Sequence, residues 1–142
     1  MSTREVALAR VRQALRDQHR GALVAASPWN VNYTAGTSFL TQRTIPGRLG
    51  MVVALPEREP IFVDCTIEEG HVRDESWLRE SRGYTEFADN PVLVLADILR
   101  ENGVAHGRIG IEKRCLVAKY YEDLQEELRD AQLVAADDIF DP

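Results

Sequence analysis

The chain has 142 residues, which is enough for one domain with a substantial buried core. Its formal net charge is -6 and its pI is about 5.1, so we do not expect the basic surface that nucleic acid or an anionic membrane would require. No apolar run approaches the roughly 20 residues that cross a bilayer. Arg4 and Glu5 stand where a secretory signal would be apolar. We therefore expect a cytoplasmic protein with small or neutral ligands.

The first predicted elements are a helix and a buried strand. Ser2 and Glu5 match the S-x-x-E capping box, and apolar residues follow at helical spacing up to Gly21, which we expect to end the helix. The continuous apolar run Ala22–Ala26 has the length of a strand that is buried on both faces. Pro28 then ends this strand, because proline cannot continue it inside a sheet.

A long connection follows the first strand and raises the main question of the sequence. It starts at Ser27, contains aromatic residues, asparagines and threonine-rich turns, and lasts until a second buried strand begins at Gly50. We interpret it as a loop. The runs Gly50–Leu55 and Ile61–Cys65 are joined by a short polar segment with two prolines, which predicts an antiparallel hairpin.

The rest of the chain alternates helices and strands. The short run Gly83–Phe87 is a candidate edge strand, and Asn90-Pro91 begins a helix that Asn102-Gly103 ends. The remaining elements are a strand at Arg108–Glu112, an amphipathic helix from Val117 to Leu128 and a last strand at Ala131–Ala136. This order predicts an α/β fold in which a mixed β-sheet is flanked by helices.

The cysteines and one acidic residue give predictions about burial. Cys65 and Cys115 form neither a C-x-x-C pair nor a disulfide framework, and each lies at the end of a strand-like run. We expect both to be buried, reduced thiols. Glu112 carries a charge at the end of a buried strand. We expect it to be hydrogen-bonded, since an unpaired buried carboxylate is costly.

We find no self-contained catalytic site in the sequence. The chain has no H-E-x-x-H pair, no G-x-S-x-G nucleophile elbow and no phosphate-binding loop that ends in G-K-[ST]. The nearest set of ligand-type side chains has the spacing of a solvated helix face, and its members are Glu68, Glu69, His71, Asp74 and Glu75. We therefore assign no catalytic residue and no metal ligand.

Several segments, in order along almost the whole chain, resemble the N-terminal domain of the creatinase/prolidase family. In the stretch S-P-W-N-V-N-Y-T-A-G, the positions that match a family signature are Asn30, Val31, Tyr33 and Gly36. The other matching segments are Gly47–Val53, Pro60–Asp64, Asn90–Gly103, Gly107–Glu112 and Leu133–Phe140. The resemblance implies a ribonuclease H-like fold, with a mixed sheet and flanking helices, for residues 1–142 as a single domain.

The resemblance also implies a partner domain and a reaction. Family members join this domain to a C-terminal pita-bread catalytic domain, which in the peptidases holds a pair of divalent metal ions (Mn, Co or Zn) on Asp, Asp, His, Glu and Glu ligands. Xaa-Pro dipeptidase and aminopeptidase P cleave next to proline, whereas creatinase shares the fold and works without metal. We can assign none of the five ligands in this chain. It is expected to be a non-catalytic fragment of a longer hydrolase, most simply a proline-specific peptidase.

The resemblance gives the long connection a role. In the family, the N-terminal domain helps to form a homodimer, and its loop after the first strand reaches toward the neighbouring active site. Arg48 matches an arginine that holds a substrate carboxylate in creatinase-like members, and the planar guanidinium pairs bidentately with carboxylate. Trp29, Tyr33 and Phe39 are candidates for the apolar wall of that pocket. The alternative is that these four residues only pack the loop and the dimer interface.

Two other functions remain open at this point. The parent protein is a creatinase-like C–N hydrolase in one of them, with a small-molecule substrate in place of a peptide. In the other, the chain is a free-standing binding module, since the fold alone does not determine function. Metal ligands in the remaining part of the protein would separate a peptidase from a creatinase.

Overall fold

The computed structural model describes residues 2–37, 48–86 and 88–136. These ranges contain five α-helices: α1 (Thr3–Asp17), α2 (Pro28–Ala35), α3 (Glu69–Glu75), α4 (Pro91–Glu101) and α5 (Ala118–Glu127). They also contain six strands: β1 (Ala22–Ala25), β2 (Met51–Leu55), β3 (Arg58–Cys65), β4 (Glu80–Tyr84), β5 (Arg108–Ile111) and β6 (Gln132–Ala135). Short 3-10 turns follow β3 and β5, at Thr66–Glu68 and Lys113–Cys115.

The strands form one mixed sheet in the order β4-β3-β2-β1-β5-β6. β2 is antiparallel to both of its neighbours, and the other three pairs are parallel. All strands except β2 therefore end at the same side of the sheet, and β2 begins there. We call this side the carboxyl edge (residues 26–29, 48–50, 65–68, 85–86 and 112–115). The α/β fold with a mixed sheet and the β2–β3 hairpin are confirmed.

Side-chain caps determine where α1 and α4 begin. Ser2 Oγ accepts the backbone N–H of Glu5 at 3.2 Å and the Glu5 carboxylate accepts the N–H of Ser2, so the predicted capping box is present. The Asn90 side chain accepts the N–H of Val92 at 3.1 Å, with Pro91 at the first helical position of α4. These caps satisfy N–H groups that have no partner inside the helix.

The core lies on both faces of the central strands. Every residue of β1 and β2 is buried, and so are the last six residues of β3. Such strands need helices on both faces. α1 and α2 contact each other and the central strands, while α4 contacts α5, β3 and β4. Phe62, Leu95 and Ile109 are among the largest fully buried side chains, and each contributes about 1.5–3 kcal/mol.

The long connection after β1 contains a helix that the sequence interpretation missed. α2 begins with Pro28 at its first position, and Ser27 Oγ accepts the N–H of Asn30 at 3.2 Å. The helix ends at Gly36, whose φ is 82°. The prediction of a loop was wrong at residues 28–35 because Ser-Pro both ends a strand and begins a helix.

The bounds of other elements also differ from the prediction: β3 begins at Arg58, three residues before the predicted run Ile61–Cys65. β4 begins at Glu80, three residues before the predicted run, but its position at the edge of the sheet is confirmed. Its charged residues pair with neighbours, as in the contact of Arg82 with Glu101, so they do not mark a loop. α1 ends at Asp17, and the residue with a left-handed conformation is His19, with φ 52°, rather than Gly21.

The two cysteines differ in burial. Cys65 is buried, as predicted, and neither cysteine forms a disulfide. The prediction of burial was wrong for Cys115, which is half-buried because it lies in the 3-10 turn after β5 rather than in the strand. Within the described ranges, none of the helices combines the length and the apolar character needed to cross a bilayer.

Candidate functional site

Two of the candidate residues lie at the carboxyl edge of the sheet. Trp29 is in the first turn of α2, just after β1, and Arg48 stands three residues before β2. In open α/β sheets, ligands bind outside the carboxyl ends of the strands. The fold therefore places Trp29 and Arg48 at the side of the sheet where this architecture forms binding sites.

Arg48 forms an ion pair with Glu86, two residues after β4. Arg48 Nε donates to Glu86 Oε1 over 2.6 Å, and the two side chains are only 18% and 15% exposed. The hydrogen bond to Glu86 raises the pKa of the Arg48 guanidinium, burial opposes this, and the nearby Cys65 and Glu68 add to the increase. Arg48 is therefore a positioned cation whose Nε is already bonded.

Tyr84 fixes the same corner through the backbone. Its hydroxyl donates to the carbonyl of Leu49 over 2.7 Å, and its side chain is fully buried. Burial, above all, raises the pKa of the Tyr84 hydroxyl well above its usual range, so this group remains a hydrogen-bond donor. The start of β2 is thus attached to the end of β4 by two bonds, one from Arg48 and one from Tyr84.

The aromatic candidates on α2 lie one helical turn apart. Trp29 is 58% exposed and Tyr33 is half-buried, whereas Asn30 and Val31 between them are buried. Residues four apart share a helix face, so Trp29 and Tyr33 lie on the same face of α2. Phe39 lies outside the described residues. Ile67, which follows β3 and is 63% exposed, adds an apolar side chain at the carboxyl edge that the sequence interpretation missed.

Glu112, which directly follows strand β5, anchors the start of α2. Its Oε1 accepts the N–H groups of Ala26 at 2.8 Å and Ser27 at 3.0 Å. Its Oε2 accepts the Ser27 hydroxyl at 2.9 Å and Asn30 Nδ2 at 2.8 Å. The hydrogen-bonded role that we expected for Glu112 is confirmed. Because these donors lie where β1 passes into α2, Glu112 fixes the direction in which α2 leaves β1.

α3 and the residues after it hold the other end of α2. His71 Nε2 and Thr37 Oγ1 are 2.8 Å apart, and Trp77 Nε1 donates to the carbonyl of Thr34 over 3.0 Å. A Cβ on Gly36 would lie 2.7 Å from the Trp77 ring, so only glycine fits there. The assignment of His71 to a solvated face was therefore wrong for this residue. The spacing of residues along α3 could not reveal that His71 contacts Thr37, which is 34 positions earlier in the sequence.

A buried acid that the sequence interpretation gave no role lies at the end of β3. Asp64 is 1% exposed, and in the described part of the chain neither Oδ atom has a hydrogen-bond partner. The pKa of the Asp64 carboxyl is raised to about 6, chiefly by desolvation; the nearby backbone N–H of Asp64 itself lowers this pKa, Glu69 raises it and Arg73 lowers it. The only sequence signal was a charged residue within the otherwise apolar run Ile61–Cys65.

Metal-ligand side chains do not cluster in residues 2–37, 48–86 and 88–136. No group of three or more His, Cys, Asp or Glu side chains is arranged to hold a metal ion there. Glu69, Asp74 and Glu75 of the predicted solvated helix face are exposed, as that interpretation requires. The described residues therefore do not fit a pair of divalent ions.

The sequence matches the model of one protein family over most of its length. This family is described as the Creatinase/Prolidase N-terminal domain, and the match covers residues 8–142. None of the curated protein sequences matches the chain. The family match is therefore the finding that identifies the domain, and the solved structures give an independent view of its fold.

Solved structures of peptidases that act at proline have a similar fold. A proline dipeptidase from Streptococcus pneumoniae TIGR4 has a TM-score of 0.76 and 18% identity, over 92% of this chain and 91% of that one. An Xaa-Pro dipeptidase from Bacillus anthracis has a TM-score of 0.76 and 16% identity, over 95% of this chain and 34% of that one. The aminopeptidase P, an Xaa-Pro aminopeptidase, from Streptococcus thermophilus has a TM-score of 0.74 and 13% identity, over 98% of this chain and 96% of that one.

Proposed function

The chain belongs to the creatinase/prolidase N-terminal domain family, and we propose that it is the non-catalytic N-terminal domain of a proline-specific peptidase. The family match over residues 8–142 carries this proposal. The similar structures are a proline dipeptidase, an Xaa-Pro dipeptidase and an Xaa-Pro aminopeptidase. This chain spans 34% of the Bacillus anthracis protein, which leaves most of that chain for further structure.

The chemical step belongs to a second domain in this proposal. A C-terminal pita-bread domain would hold the divalent metal pair (Mn, Co or Zn), because the described residues of this chain offer no suitable ligand group. Such a pair supplies a metal-activated water for attack on a carbonyl. This chain contributes binding surface and positioned side chains, and no catalytic residue.

The carboxyl edge forms part of the rim of the substrate pocket in this proposal. Glu86 holds Arg48 through Nε, and no described residue accepts a hydrogen bond from the Nη atoms of Arg48. A guanidinium edge with two parallel N–H groups matches the carboxylate of a peptide substrate. Trp29 and Tyr33 supply an aromatic wall, as small-ligand sites usually require. Phe39, the third aromatic candidate from the sequence, lies outside the described residues, so its place in this wall stays a prediction.

The same edge contacts the neighbouring subunit of a homodimer. Trp29 and Ile67 are two large apolar side chains that are more than half exposed, and both follow strands that end at this edge. Aromatic residues are enriched in interfaces and dominate their binding energy. A cytoplasmic location stays a prediction from the sequence.

The separation of binding from catalysis can be tested on the chain itself. We would measure binding of Mn, Co and Zn by calorimetry and hydrolysis of an Xaa-Pro dipeptide with each metal present. We expect neither stoichiometric binding nor hydrolysis by the chain, and both by the full-length protein. Tight binding together with hydrolysis by the chain alone would contradict the proposal.

The creatinase-like alternative is kept because the family description covers creatinase as well as prolidase. A creatinase-like parent would act on a small C–N substrate without metal. The metal content and the dipeptide activity of the full-length protein separate the two. A protein that is active on a small C–N substrate after complete removal of metal would favour the alternative.

A further inference from the structure

Asp64 is a buried acid without a hydrogen-bond partner in the described structure. It is the second-last residue of β3, it is 1% exposed, and both Oδ atoms are unsatisfied in the described residues. Burying a polar group without a hydrogen bond costs free energy, and burying an unpaired charge costs far more. The site is therefore compatible with the neutral carboxylic acid and strained by the carboxylate.

No cation among the described residues forms an ion pair with Asp64. Its register partner on β4 is Gly83, which has no side chain, and a Cβ there would lie 2.9 Å from Thr66 Cγ2. The charged groups that act on Asp64 are Glu69 and Arg73, and both belong to α3. Arg73 is exposed, and its Nη2 lies 3.8 Å from Glu69 Oε1. Its charge is therefore partly compensated by Glu69 and screened by solvent. Burial together with this environment raises the pKa of Asp64 to about 6.

α3 packs against β3, and α3 together with the two residues after it holds the C-terminal end of α2. The contacts of His71 with Thr37 and of Trp77 with Thr34 hold the last turn of α2. Ser76 adds a third contact, because its hydroxyl donates to the carbonyl of Ala35 over 2.7 Å. A movement of α3 away from the sheet would therefore release the end of the helix that carries Trp29 and Tyr33.

We propose that the proton on Asp64 controls the docking of α3 on the sheet. With the proton in place, α3 covers a neutral acid. When the proton passes to solvent, the carboxylate needs water, and α3 opens to admit it. Opening loosens the contacts at the end of α2. The consequence for the pocket rim rests on the proposed function, whereas the docking of α3 does not and can be measured on the chain alone.

Amide hydrogen exchange of the chain between pH 4.5 and 7.5, corrected for intrinsic rates, measures this docking. The reporters are the amides of α3 and that of Ser76, which bonds to the carbonyl of Val72. A shift of about two pKa units predicts that the opening constant of α3 rises up to about 100-fold and levels off above pH 6. The amides of α4 report global unfolding, which also depends on the Asp64 proton, so the opening constant of α3 should exceed theirs at every pH.

Two variants make the test specific to Asp64. Asp64→Asn resembles the neutral acid, so its α3 opening constant should no longer depend on pH. Asp74→Asn removes an exposed carboxylate from the same helix and should keep the wild-type profile. The proposal is overturned by a flat wild-type profile, by a pH dependence that persists in Asp64→Asn, or by opening constants of α3 that equal those of α4 at every pH.

A direct titration covers the case in which Asp64→Asn does not fold. The carboxyl carbon of Asp64 in the wild-type chain should titrate in the NMR spectrum with a midpoint near 6. A midpoint below about 4.5, close to the ordinary range of aspartate, would overturn the proposal. Neither measurement requires enzymatic activity, so a failure here is distinguishable from a failure of the proposed function.

Discussion

Arg48 and Glu86 are 38 residues apart in sequence, yet Arg48 Nε donates to Glu86 Oε1 over 2.6 Å. The bond connects the start of β2 with the end of β4 and leaves the Nη atoms of Arg48 without an acceptor among the described residues. A cation that is oriented before its ligand arrives loses less conformational entropy on binding. The pair therefore supports a binding role for Arg48 within the proposed function.

Arg48→Ala in the full-length protein should raise KM for an Xaa-Pro dipeptide by about 10-fold to 100-fold, which corresponds to loss of a charged hydrogen bond. kcat should change less, because the carboxylate is bound in both the ground state and the transition state. The KM of Arg48→Lys should lie between those of the wild type and Arg48→Ala, since lysine keeps the charge but cannot pair bidentately. A substrate with an amidated carboxyl is the control. An equal loss for this substrate would contradict the role.

Glu112→Ala should destabilise the chain by about 3 kcal/mol or more in urea unfolding. The change leaves the buried N–H groups of Ala26 and Ser27 without their acceptor, and each such group costs about 1–3 kcal/mol. Glu122→Gln, an exposed change on α5, should stay within about 0.5 kcal/mol. Equal midpoints for the two variants would show that Glu112 does not anchor α2.

Gly36→Ala and Gly103→Ala separate backbone strain from the contact with Trp77. Both glycines have positive φ, 82° and 71°, so alanine should cost about 1–2 kcal/mol at either position. Only at Gly36 would the new Cβ also meet the Trp77 ring, at 2.7 Å, whereas nothing lies within 4 Å at Gly103. Gly36→Ala should therefore lower the free energy of unfolding clearly more than Gly103→Ala. Equal losses would contradict the close contact.

Asp64→Asn should stabilise the chain at neutral pH. The folded pKa of Asp64, about 6, is above its ordinary value of 3.8, so the folded state binds the proton more tightly. Stability of the wild type should then fall as pH rises from about 4 to about 6 and stay level above that. At pH 7 the variant should gain up to about 3 kcal/mol, about 1.4 kcal/mol per pKa unit. Urea titrations at pH 4, 5, 6 and 7 measure this, and a constant difference between the proteins would contradict it.

Trp29→Ser should leave the stability of the isolated chain within about 0.5 kcal/mol, because the side chain is mostly exposed. It should weaken the homodimer of the full-length protein about 30-fold if Trp29 is an interface hot spot worth about 2 kcal/mol. Val6→Ser is the matched control, because Val6 is also exposed but lies on α1. Arg4, two residues earlier on α1, pairs with Glu59 near the start of β3, which is the end of that strand away from the carboxyl edge. Sedimentation velocity at several concentrations compares the two variants, and an unchanged dimer for Trp29→Ser would remove it from the interface.

Local patterns predicted the six described strands and the bounds of α4 and α5. The apolar run at residues 22–26 and the polar segment Pro56–Pro60 are signals that a few neighbouring residues carry, and the structure has a strand and a hairpin there, although Pro60 lies inside β3. α2 was missed for a local reason too, because Ser27-Pro28 is compatible with both the end of a strand and the start of a helix.

The candidate site depended on contacts that one sequence does not reveal. Glu112 bonds to Ala26, 86 residues earlier, and its expected hydrogen bonds followed only from the cost of burying a charge. Nothing near Arg48 in the sequence indicates Glu86, and nothing near His71 indicates Thr37. Such partners are set by the strand order, which brings the ends of β3 and β4 next to the start of β2.

The mass of the native gene product tests the central claim most directly. An antibody against this domain would be used on an extract of the source cells, with the purified 16.0 kDa chain as the size standard. The domain makes up 34% of the Bacillus anthracis Xaa-Pro dipeptidase chain, so we expect a band at roughly three times the mass of the standard. A single band at 16.0 kDa would contradict the assignment to a two-domain peptidase and would identify a free-standing module.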